Sequence, residues 1–419
     1  MKRRYDLVIV GGGPAGLAAA IKSWKLGVKS VALIHENEIL GGVLPQCIHT
    51  GFGLHYFGED LTGPEFAARL VKQLESTGVE VLVGAYASQI QIEPRNLKRV
   101  YGYRFGEAFE IESRAIIYAA GCRERSRFEA GVLGDRPAGV YTAGEAQALM
   151  DIYGILPGSE VVIVGSGDVG LIMARRFALE GAKVKAVVEL MPYPGGLTRN
   201  VVQCLEDYNI PLYLSHSVTE IKGSRRVESV KLVKMDEKLN PIPDTSFEIK
   251  CDAVIFAVGL RPRSELLAEA GALIDEATGG PIVNDWLETS LPGVFAAGNV
   301  LVVNDLVDYA AEQGERAAES AAKLILEGTL PSVKAKLRPV VPGRNVRLIV
   351  PQLVSCLQDV VFYGRVRRPE ENVLVRFEEI DRSFKLPAVR PPEMFRFKIP
   401  VKTLSKLHGE RLTVNVVEV

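Results

Sequence analysis

Residues 40–56 carry the side chains of this 419-residue chain that are best suited to redox and proton chemistry. Cys47, His49 and His55 stand there among closely spaced glycines. A thiol can cycle through a sulfenic acid, and a histidine can transfer a proton near neutral pH. The glycines would let the backbone press against a flat ring system. We predict Cys47 and His49 as the candidate catalytic residues, and a packed structural role is the alternative for each.

Two glycine-rich turns each follow an apolar run and precede a helical pattern. They are Gly11-Gly-Gly-Pro-Ala-Gly16 and Gly165-Ser-Gly-Asp-Val-Gly170. In such a motif the first glycine permits a tight turn and the second lets the backbone approach a pyrophosphate. The third lets the helix pack closely on the strand. Two motifs of this kind predict two dinucleotide sites in one chain.

A ribose-binding carboxylate is expected about 20 residues past the last glycine of each motif. The second motif has Glu189 at this distance, whereas the first has His35 followed by Glu36. Adjacent strand residues face opposite ways, so Glu36 reaches the ribose only if its strand has already ended. We predict that Glu36 binds the ribose with His35 beside the adenosine. We also predict that Glu189 favours NADH, because a carboxylate accepts from a 2′-hydroxyl and repels a 2′-phosphate.

The residues around these motifs alternate between strand and helix patterns, which is typical of α/β domains. From residue 335 the pattern changes to short Val-, Phe- and Arg-rich strands punctuated by prolines. This pattern predicts a small C-terminal all-β module.

Charge is unevenly distributed along the chain. The net charge is −1, yet residues 331–419 carry 17 Lys and Arg against 9 Asp and Glu. This asymmetry favours a partner or an anionic ligand, and a solvated basic surface is the alternative. Nucleic acid is not predicted as a ligand, because the aromatic residues at 362, 363, 377 and 395 alternate in a way that favours a core.

The five cysteines lie far apart without a CxxC pair. Their spacing predicts neither a disulfide framework nor a metal site, and it suits a reducing cytoplasm. No apolar run approaches the roughly 18 residues of a membrane span, so no transmembrane segment is predicted.

The two glycine motifs, together with residues 119–121, 257–259 and 289–299, carry a family resemblance. In this order they resemble the two-dinucleotide-domain flavoproteins of the pyridine nucleotide–disulfide oxidoreductase superfamily, over about residues 1–330. The superfamily usually has Asp where this chain has Asn299, so a charged contact becomes a neutral one.

The resemblance implies a fold in which an NAD(P)H domain is inserted into an FAD domain. The predicted fold is α/β with two Rossmann-like domains: residues 1–120 and 281–330 bind FAD, and residues 121–280 bind NAD(P)H. Residues 335–419 form the C-terminal module.

Motifs and resemblance together predict the cofactor-binding residues. Those for FAD are Gly11, Gly13, Pro14, Ala15, Gly16, His35, Glu36, Gly42, Gln46, Ala120, Gly121, Gly298 and Asn299. Those for NADH are Gly165, Gly167, Asp168, Val169, Gly170, Glu189 and Gly259.

A narrower resemblance lies in residues 41–55, 122–125 and 298–301. These segments are similar to the flavoprotein subunits associated with glycerol-3-phosphate dehydrogenase, and to the α subunits of sarcosine oxidase and of opine and proline dehydrogenases. This likeness implies a dehydrogenase partner subunit that docks on residues 335–419. Homo-oligomerisation through the same module is the alternative.

We therefore predict an FAD-dependent NADH:acceptor oxidoreductase. Disulfide reductases of the superfamily need a pair of redox cysteines, and Cys47 has no second cysteine at that spacing. Two alternatives stay open: an NADH oxidase or peroxidase that uses Cys47, and an electron-transfer subunit that is inactive alone.

Overall fold

The computed structural model describes residues 2–93 and 97–419, which fall into two compact units. The first unit consists of Met1–Cys122 and Pro262–Val419, and the second consists of Arg123–Arg261. The finer domain limits drawn from the motifs stay a prediction.

The first part of unit 1 contains two helices and most of a parallel sheet. Its elements are β1 (Lys2–Val10), α1 (Pro14–Lys25), β2 (Val31–Ile34), β3 (Thr50–Phe52), β4 (Leu61–Thr62), α2 (Gly63–Glu75), β5 (Glu80–Leu82), β6 (Ala85–Ile92), β7 (Lys98–Arg104) and β8 (Glu107–Tyr118).

The middle of the chain contains the elements of unit 2 and the strands that lead into and out of it. They are β9 (Cys122–Glu124), β10 (Leu133–Gly134), β11 (Val140–Thr142), α3 (Ala143–Asp151), β12 (Glu160–Val164), α4 (Asp168–Leu179), β13 (Lys183–Val188), α5 (Thr198–Cys204), β14 (Leu212–Tyr213), β15 (His216–Lys222), β16 (Ser229–Lys234), β17 (Phe247–Lys250), β18 (Ala253–Phe256) and β19 (Leu260–Pro262).

The last part of the chain completes unit 1. Its elements are α6 (Glu265–Glu269), β20 (Val294–Ala296), α7 (Val307–Glu327), β21 (Arg338–Pro342), β22 (Val346–Val350), β23 (Leu353–Val354), β24 (Val360–Val366), β25 (Glu370–Phe377), β26 (Arg382–Val389), β27 (Phe395–Ile399), α8 (Val401–Leu404) and β28 (Leu412–Glu418).

A parallel sheet with strand order β5-β2-β1-β8 organises unit 1, and β20 also pairs with β8. Alternate residues of β1 enter different cores, as the period of two in a strand requires. Ile9 packs in the core that contains Leu17 of α1 and Ala311 of α7. Val8 packs in the core that contains Ile90 of β6. The sheet is therefore apolar on both faces, and its strand ends carry the loops that could bind a ligand.

Unit 2 repeats this plan with the parallel order β11-β18-β12-β13-β14. Unit 2 also contains a second sheet with the order β10-β15-β16-β17. Residues 338–418 of unit 1 form two further sheets with the orders β23-β21-β28-β25-β26 and β22-β24-β27. The predicted α/β fold with two Rossmann-like sheets and a C-terminal β module is confirmed.

Three of the four aromatic residues that were expected to be core residues, Phe362, Phe377 and Phe395, lie in the core of the C-terminal module, whereas the hydroxyl of the fourth, Tyr363, donates to Glu312 of α7. Phe362, Tyr363, Phe377 and Phe395 are all buried. Among the helices described here, none has both the length and the apolarity needed to cross a bilayer.

Candidate cofactor sites

The first glycine motif forms a tight turn between β1 and α1. Gly11 has φ of +112°, and a Cβ added there would lie 2.2 Å from Ala119 O. A Cβ added at Gly16 would lie only 1.7 Å from Gly11 O. The backbone itself therefore excludes side chains at both positions, independently of any ligand.

Helix α1 presents an uncapped N-terminus at this turn. It begins at Pro14, its N-cap residue is Gly13, and no described side chain caps it. A Cβ added at Gly13 would have Gly42 Cα as its nearest neighbour, 3.8 Å away. Open backbone N–H groups at a helix N-terminus attract an anion, so this turn fits a pyrophosphate.

Further residues predicted for the FAD site come to the same turn. Ala120 N would lie 3.1 Å from a Cβ added at Gly11, and a Cβ at Gly42 would lie 3.0 Å from Gly13 Cα. A Cβ at Gly298 would lie 2.8 Å from the first-turn Cβ of Ala15. Gly121 follows with φ of +71°. The structure thus brings together segments from four distant parts of the sequence.

His35 follows the end of β2 and is buried. Gly12 N donates to His35 Nδ1 at 3.1 Å, and His35 Nε2 lies 3.0 Å from Ile39 O. Because Nδ1 accepts, Nε2 carries the proton and donates it to Ile39 O, which makes the ring neutral. Burial lowers the pKa of His35, which favours the same neutral form.

Glu36 lies past the strand end, which satisfies the condition set by the sequence. Arg263 binds its carboxylate in a bidentate pair, with Arg263 Nη2 3.0 Å from Glu36 Oε2. The hydrogen bonds from Arg263 lower the pKa of Glu36, so it is ionised at neutral pH. Sequence analysis missed Arg263, because no local pattern links residues 227 positions apart.

Asn299 belongs to a partly buried amide network next to Gly298. Asn304 N donates to Asn299 Oδ1 at 3.0 Å, and Gln313 Nε2 donates to Asn304 Oδ1 at 3.0 Å. Gln313 Oε1 accepts from Gly298 N at 3.0 Å. The sequence analysis missed Gln313, although a glutamine on the apolar face of an alanine-rich helix was a usable signal.

The predicted catalytic segment starts with a 3-10 turn over Leu44–Gln46. Cys47 is partly exposed, and its thiol donates to Val43 O at 3.5 Å. His49 Nδ1 lies 2.8 Å from Thr50 O, and its ring lies 5.1 Å from that of Phe52. These contacts hold both predicted catalytic side chains to their own segment.

Asp308, in the first turn of α7, anchors the other end of this segment. Its buried carboxylate accepts from Gly53 N at 3.2 Å, His55 N at 3.0 Å and Tyr56 N at 2.8 Å. The ring of His55 stacks on that of Tyr309 at 6.2 Å. The sequence analysis missed Asp308, because its partners are backbone N–H groups, which every residue except proline has and which no sequence pattern marks.

The second glycine motif repeats the first within unit 2. Gly165 has φ of +100°, and a Cβ there would lie 2.3 Å from Ala257 O. A Cβ at Gly170 would lie 2.4 Å from Gly165 O. Helix α4 begins at Asp168 with Gly167 as its N-cap residue, again without a side-chain cap from the residues described. This turn also fits a pyrophosphate.

Glu189 directly follows β13 beside this turn and is buried. Its Oε2 accepts from Ser166 N at 3.0 Å and from Ser166 Oγ at 2.5 Å. Its Oε1 accepts from Met191 N at 2.9 Å. The predicted ribose-binding carboxylate is therefore fixed in place next to the glycine turn.

Residues 195–197 also lie on the second turn. Gly195 N donates to Ser166 Oγ at 2.8 Å, and Leu197 N donates to Asp168 Oδ1 at 2.8 Å. The Asp168 carboxylate is thus held by its own unit. Val169 is exposed, and Gly259 has φ of +100°.

The five cysteines, all within the described part of the chain, form no disulfide with one another. Burial raises the pKa of Cys204 and Cys356, and it raises that of Cys251 to about 12, so these three remain protonated thiols at neutral pH. Asn299 Nδ2 donates to Cys122 Sγ at 3.5 Å.

Comparison with known proteins finds relatives that are similar to most of this chain. The chain is 27% identical over 333 residues to a subunit of the alkyl hydroperoxide reductase of Pseudomonas aeruginosa, which covers 78% of this chain and 59% of that protein. This chain therefore spans about three fifths of the length of that relative. It is 28% identical over 305 residues to thioredoxin reductase of Aquifex aeolicus, covering 71% of this chain and 85% of that enzyme. The crystal structure of T. acidophilum thioredoxin reductase aligns with a TM-score of 0.64 and 25% identity, covering 77% of this chain and 98% of that one.

The sequence profile of one family matches most of the chain, over residues 5–314. That family is described as pyridine nucleotide-disulphide oxidoreductase. Its enzymes use FAD and NAD(P)H, and both uncapped glycine turns suit such dinucleotides. The chain belongs to the pyridine nucleotide-disulphide oxidoreductase family.

Proposed function

We propose that this chain is an oxidoreductase that takes reducing equivalents from NADH through FAD and passes them to an acceptor. The observation that supports the proposal best is the repeated uncapped glycine turn, present once in each compact unit. When bound, the nicotinamide supplies a hydride and the flavin receives it. The protein's part is to bind and orient both groups.

The two turns would hold the two cofactors by the same physics. In unit 1, the N-terminus of α1 would bind the FAD pyrophosphate and Glu36 would accept from the ribose. In unit 2, the N-terminus of α4 would bind the NADH pyrophosphate. Glu189 would accept from the ribose hydroxyls there and repel a 2′-phosphate, so NADH is the preferred donor.

The acceptor is proposed to receive electrons without a dithiol relay. Such a relay needs two cysteines that form a disulfide, and the next cysteine after Cys47 in the sequence is Cys122. Anaerobic titration of the purified FAD-loaded protein with NADH tests this directly. We expect full reduction by about two electrons per chain, the capacity of the flavin alone. Consumption of four electrons would show a second redox pair and would reject this part of the proposal.

Cys47 supports a second candidate function. Its thiol is partly exposed, unlike the buried Cys204, Cys251 and Cys356. One relative is by name part of an alkyl hydroperoxide reductase. In an NADH peroxidase or oxidase, the Cys47 thiol would take one oxygen from an O–O bond, release water or an alcohol and become a sulfenic acid. Two electrons from NADH would then restore the thiol.

Thiol substitutions separate these two candidates. Cys122→Ser is the control for Cys47→Ser, because both thiols are partly exposed and a hydroxyl at position 122 can still accept the hydrogen bond from Asn299 Nδ2. Loss of NADH-dependent peroxide reduction in Cys47→Ser alone would favour the peroxidase. Equal activity with a dye acceptor in both variants and the unmodified protein would favour the thiol-independent function. A protein that takes up FAD but turns over no dye would favour an electron-transfer subunit.

We also propose that a dehydrogenase subunit is the acceptor and docks on the C-terminal module. The support is the narrower motif likeness and the basic charge of residues 331–419. Arg367 and Arg368 follow β24 and are exposed. Arg365 is not available, since it pairs with Asp305. Homo-oligomerisation through the module is the competing outcome.

A further inference from the structure

We infer that His35 replaces, at the flavin nucleotide site, the carboxylate that Glu189 supplies at the nicotinamide site, and that this makes FAD binding depend on pH. The inference rests on the proposed FAD site in unit 1. It concerns a positioning residue, because the His35 ring holds the backbone that faces the ligand.

His35 and Glu189 occupy equivalent places in the two units. Each accepts a hydrogen bond from the N–H of the residue that follows the first glycine of the motif. That donor is Gly12 for His35 and Ser166 for Glu189, and the sequence separation is 23 in both cases. The two side chains are 5% and 8% exposed. In each unit, therefore, the residue that follows the second strand of the motif, β2 or β13, holds the glycine turn in place by a hydrogen bond. This hydrogen bond is called the brace below.

The two side chains differ in whether they keep a hydrogen-bond acceptor available for the hydroxyls of a ribose. The carboxylate of Glu189 has lone pairs beyond those that Ser166 and Met191 use. Both ring nitrogens of His35 are occupied, by Gly12 N and by Ile39 O. His35 thus fixes the turn but cannot bind the hydroxyls, which leaves that part to Glu36 and its partner Arg263.

Protonation would reverse the role of the His35 ring. An imidazolium carries N–H on both nitrogens, so Nδ1–H would point at the Gly12 N–H and the brace would be lost. The charged group beside His35 is Glu36, whose charge is already paired with Arg263. From the other side, Leu40 packs near the ring and the turn. Near Arg263, Tyr118 has a pKa raised by burial and stays neutral.

The direction of the pH effect follows from the neutral brace. Burial lowers the pKa of His35 below its ordinary 6.5, so the braced turn is fully present above that pH. It is lost as the pH falls through the lowered pKa. Below that point FAD binding requires the release of one proton, so the Kd rises about tenfold per pH unit. Glu36 does not account for this change in the same range, because Arg263 lowers its pKa.

The experiment measures the FAD dissociation constant of the full-length protein from pH 8 to pH 5 by flavin fluorescence. His35→Asn keeps an acceptor near the Nδ1 position and His35→Glu restores a carboxylate, and neither carries an imidazole. We expect the Kd of the unmodified protein to rise by up to about tenfold per pH unit once the pH is below the lowered pKa of His35, and the Kd of both variants to change less than threefold. His408→Asn, at an exposed histidine, is the control and should follow the unmodified protein. Equal pH dependence in the variants and the unmodified protein would reject the inference.

A second measurement needs no FAD. The chain has five histidines, so ¹⁵N-histidine labelling gives few imidazole signals, and His35→Asn identifies the one of interest. We expect a neutral ring with its proton on Nε2 and a pKa below the ordinary 6.5 of a histidine. A ring protonated on Nδ1 at pH 7 would overturn the inference. Failure to bind FAD even at pH 8 would instead reject the proposed function.

Discussion

Replacing Glu189 by Gln should shift the nucleotide preference of the enzyme from NADH toward NADPH. The side chain is only 8% exposed and stands beside the second glycine turn. Its negative charge would act on a 2′-phosphate through protein rather than through bulk water. The substitution removes this charge and keeps one oxygen for Ser166.

The magnitude follows from Coulomb's law. Two unit charges about 5 Å apart interact by about 3 kcal/mol at an effective dielectric constant of about 20. That energy corresponds to a factor on the order of 100 in relative binding. The Gln amide would also face Met191 N with a donor, which costs about 1–3 kcal/mol for either nucleotide. This shared loss cancels in the ratio of the two nucleotides.

The assay is the ratio of kcat/KM for NADPH to that for NADH with a dye acceptor. We expect Glu189→Gln to raise this ratio by about 100-fold relative to the unmodified protein. Glu206→Gln, at an exposed carboxylate of the same unit, should leave the ratio unchanged. A ratio that moves less than threefold in Glu189→Gln would refute the role of this charge. Faster flavin reduction by NADPH than by NADH in the unmodified protein would refute it as well.

Other outcomes follow from single contacts. Gly13→Val should fold, because a Cβ at this position has room in the protein, but it should not bind FAD, because the side chain would occupy the ligand side of the turn. A yellow variant with unchanged FAD affinity would contradict this. Asp308→Ala should destabilise the protein by about 2–4 kcal/mol and speed amide exchange at Gly53 and His55, since it leaves their N–H groups without an acceptor; unchanged exchange would contradict the anchor. Charge reversal of both Arg367 and Arg368 should weaken co-purification of a dehydrogenase subunit and spare FAD binding; retained co-purification with altered self-association would favour oligomerisation.

The parts of the site that are local in sequence could be predicted from the sequence. A glycine turn is specified by residues within six positions, because the tight turn and the close packing of Gly16 on Gly11 are built from neighbouring backbone. The strand and helix that flank it are equally local. The fold class followed from the repetition of this pattern, and the family profile matches the same region.

The parts that depend on distant contacts could not be predicted in this way. Arg263 reaches Glu36 and Asp308 reaches His55 only after the sheet has brought remote segments to one edge. No spacing rule connects such residues, since their partners are chosen by packing. His35 was visible as an exception to the motif, but its role depends on the hydrogen bond from Gly12 N, which exists only in the folded chain.

The basic charge of the C-terminal module has a partial explanation inside unit 1. Arg396 forms a bidentate pair with Glu312 of α7, and Arg365 pairs with Asp305. Both carboxylates belong to the segment that precedes the module. Part of the charge asymmetry that suggested a partner therefore serves internal packing, which leaves Arg367 among the exposed candidates.

Other contacts between the module and the rest of unit 1 decide how the docking proposal must be tested. Leu348 and Val350 of β22 pack in the core that contains the first helix, and Ser355 Oγ donates to the buried Asp285 at 2.7 Å. Removing the module would uncover this core and leave Asp285 as a buried carboxylate without these donors, which is strongly destabilising. A truncated chain that loses both FAD and a partner would then report on folding rather than on docking. Point substitutions at exposed arginines keep the core intact, so they can separate the two.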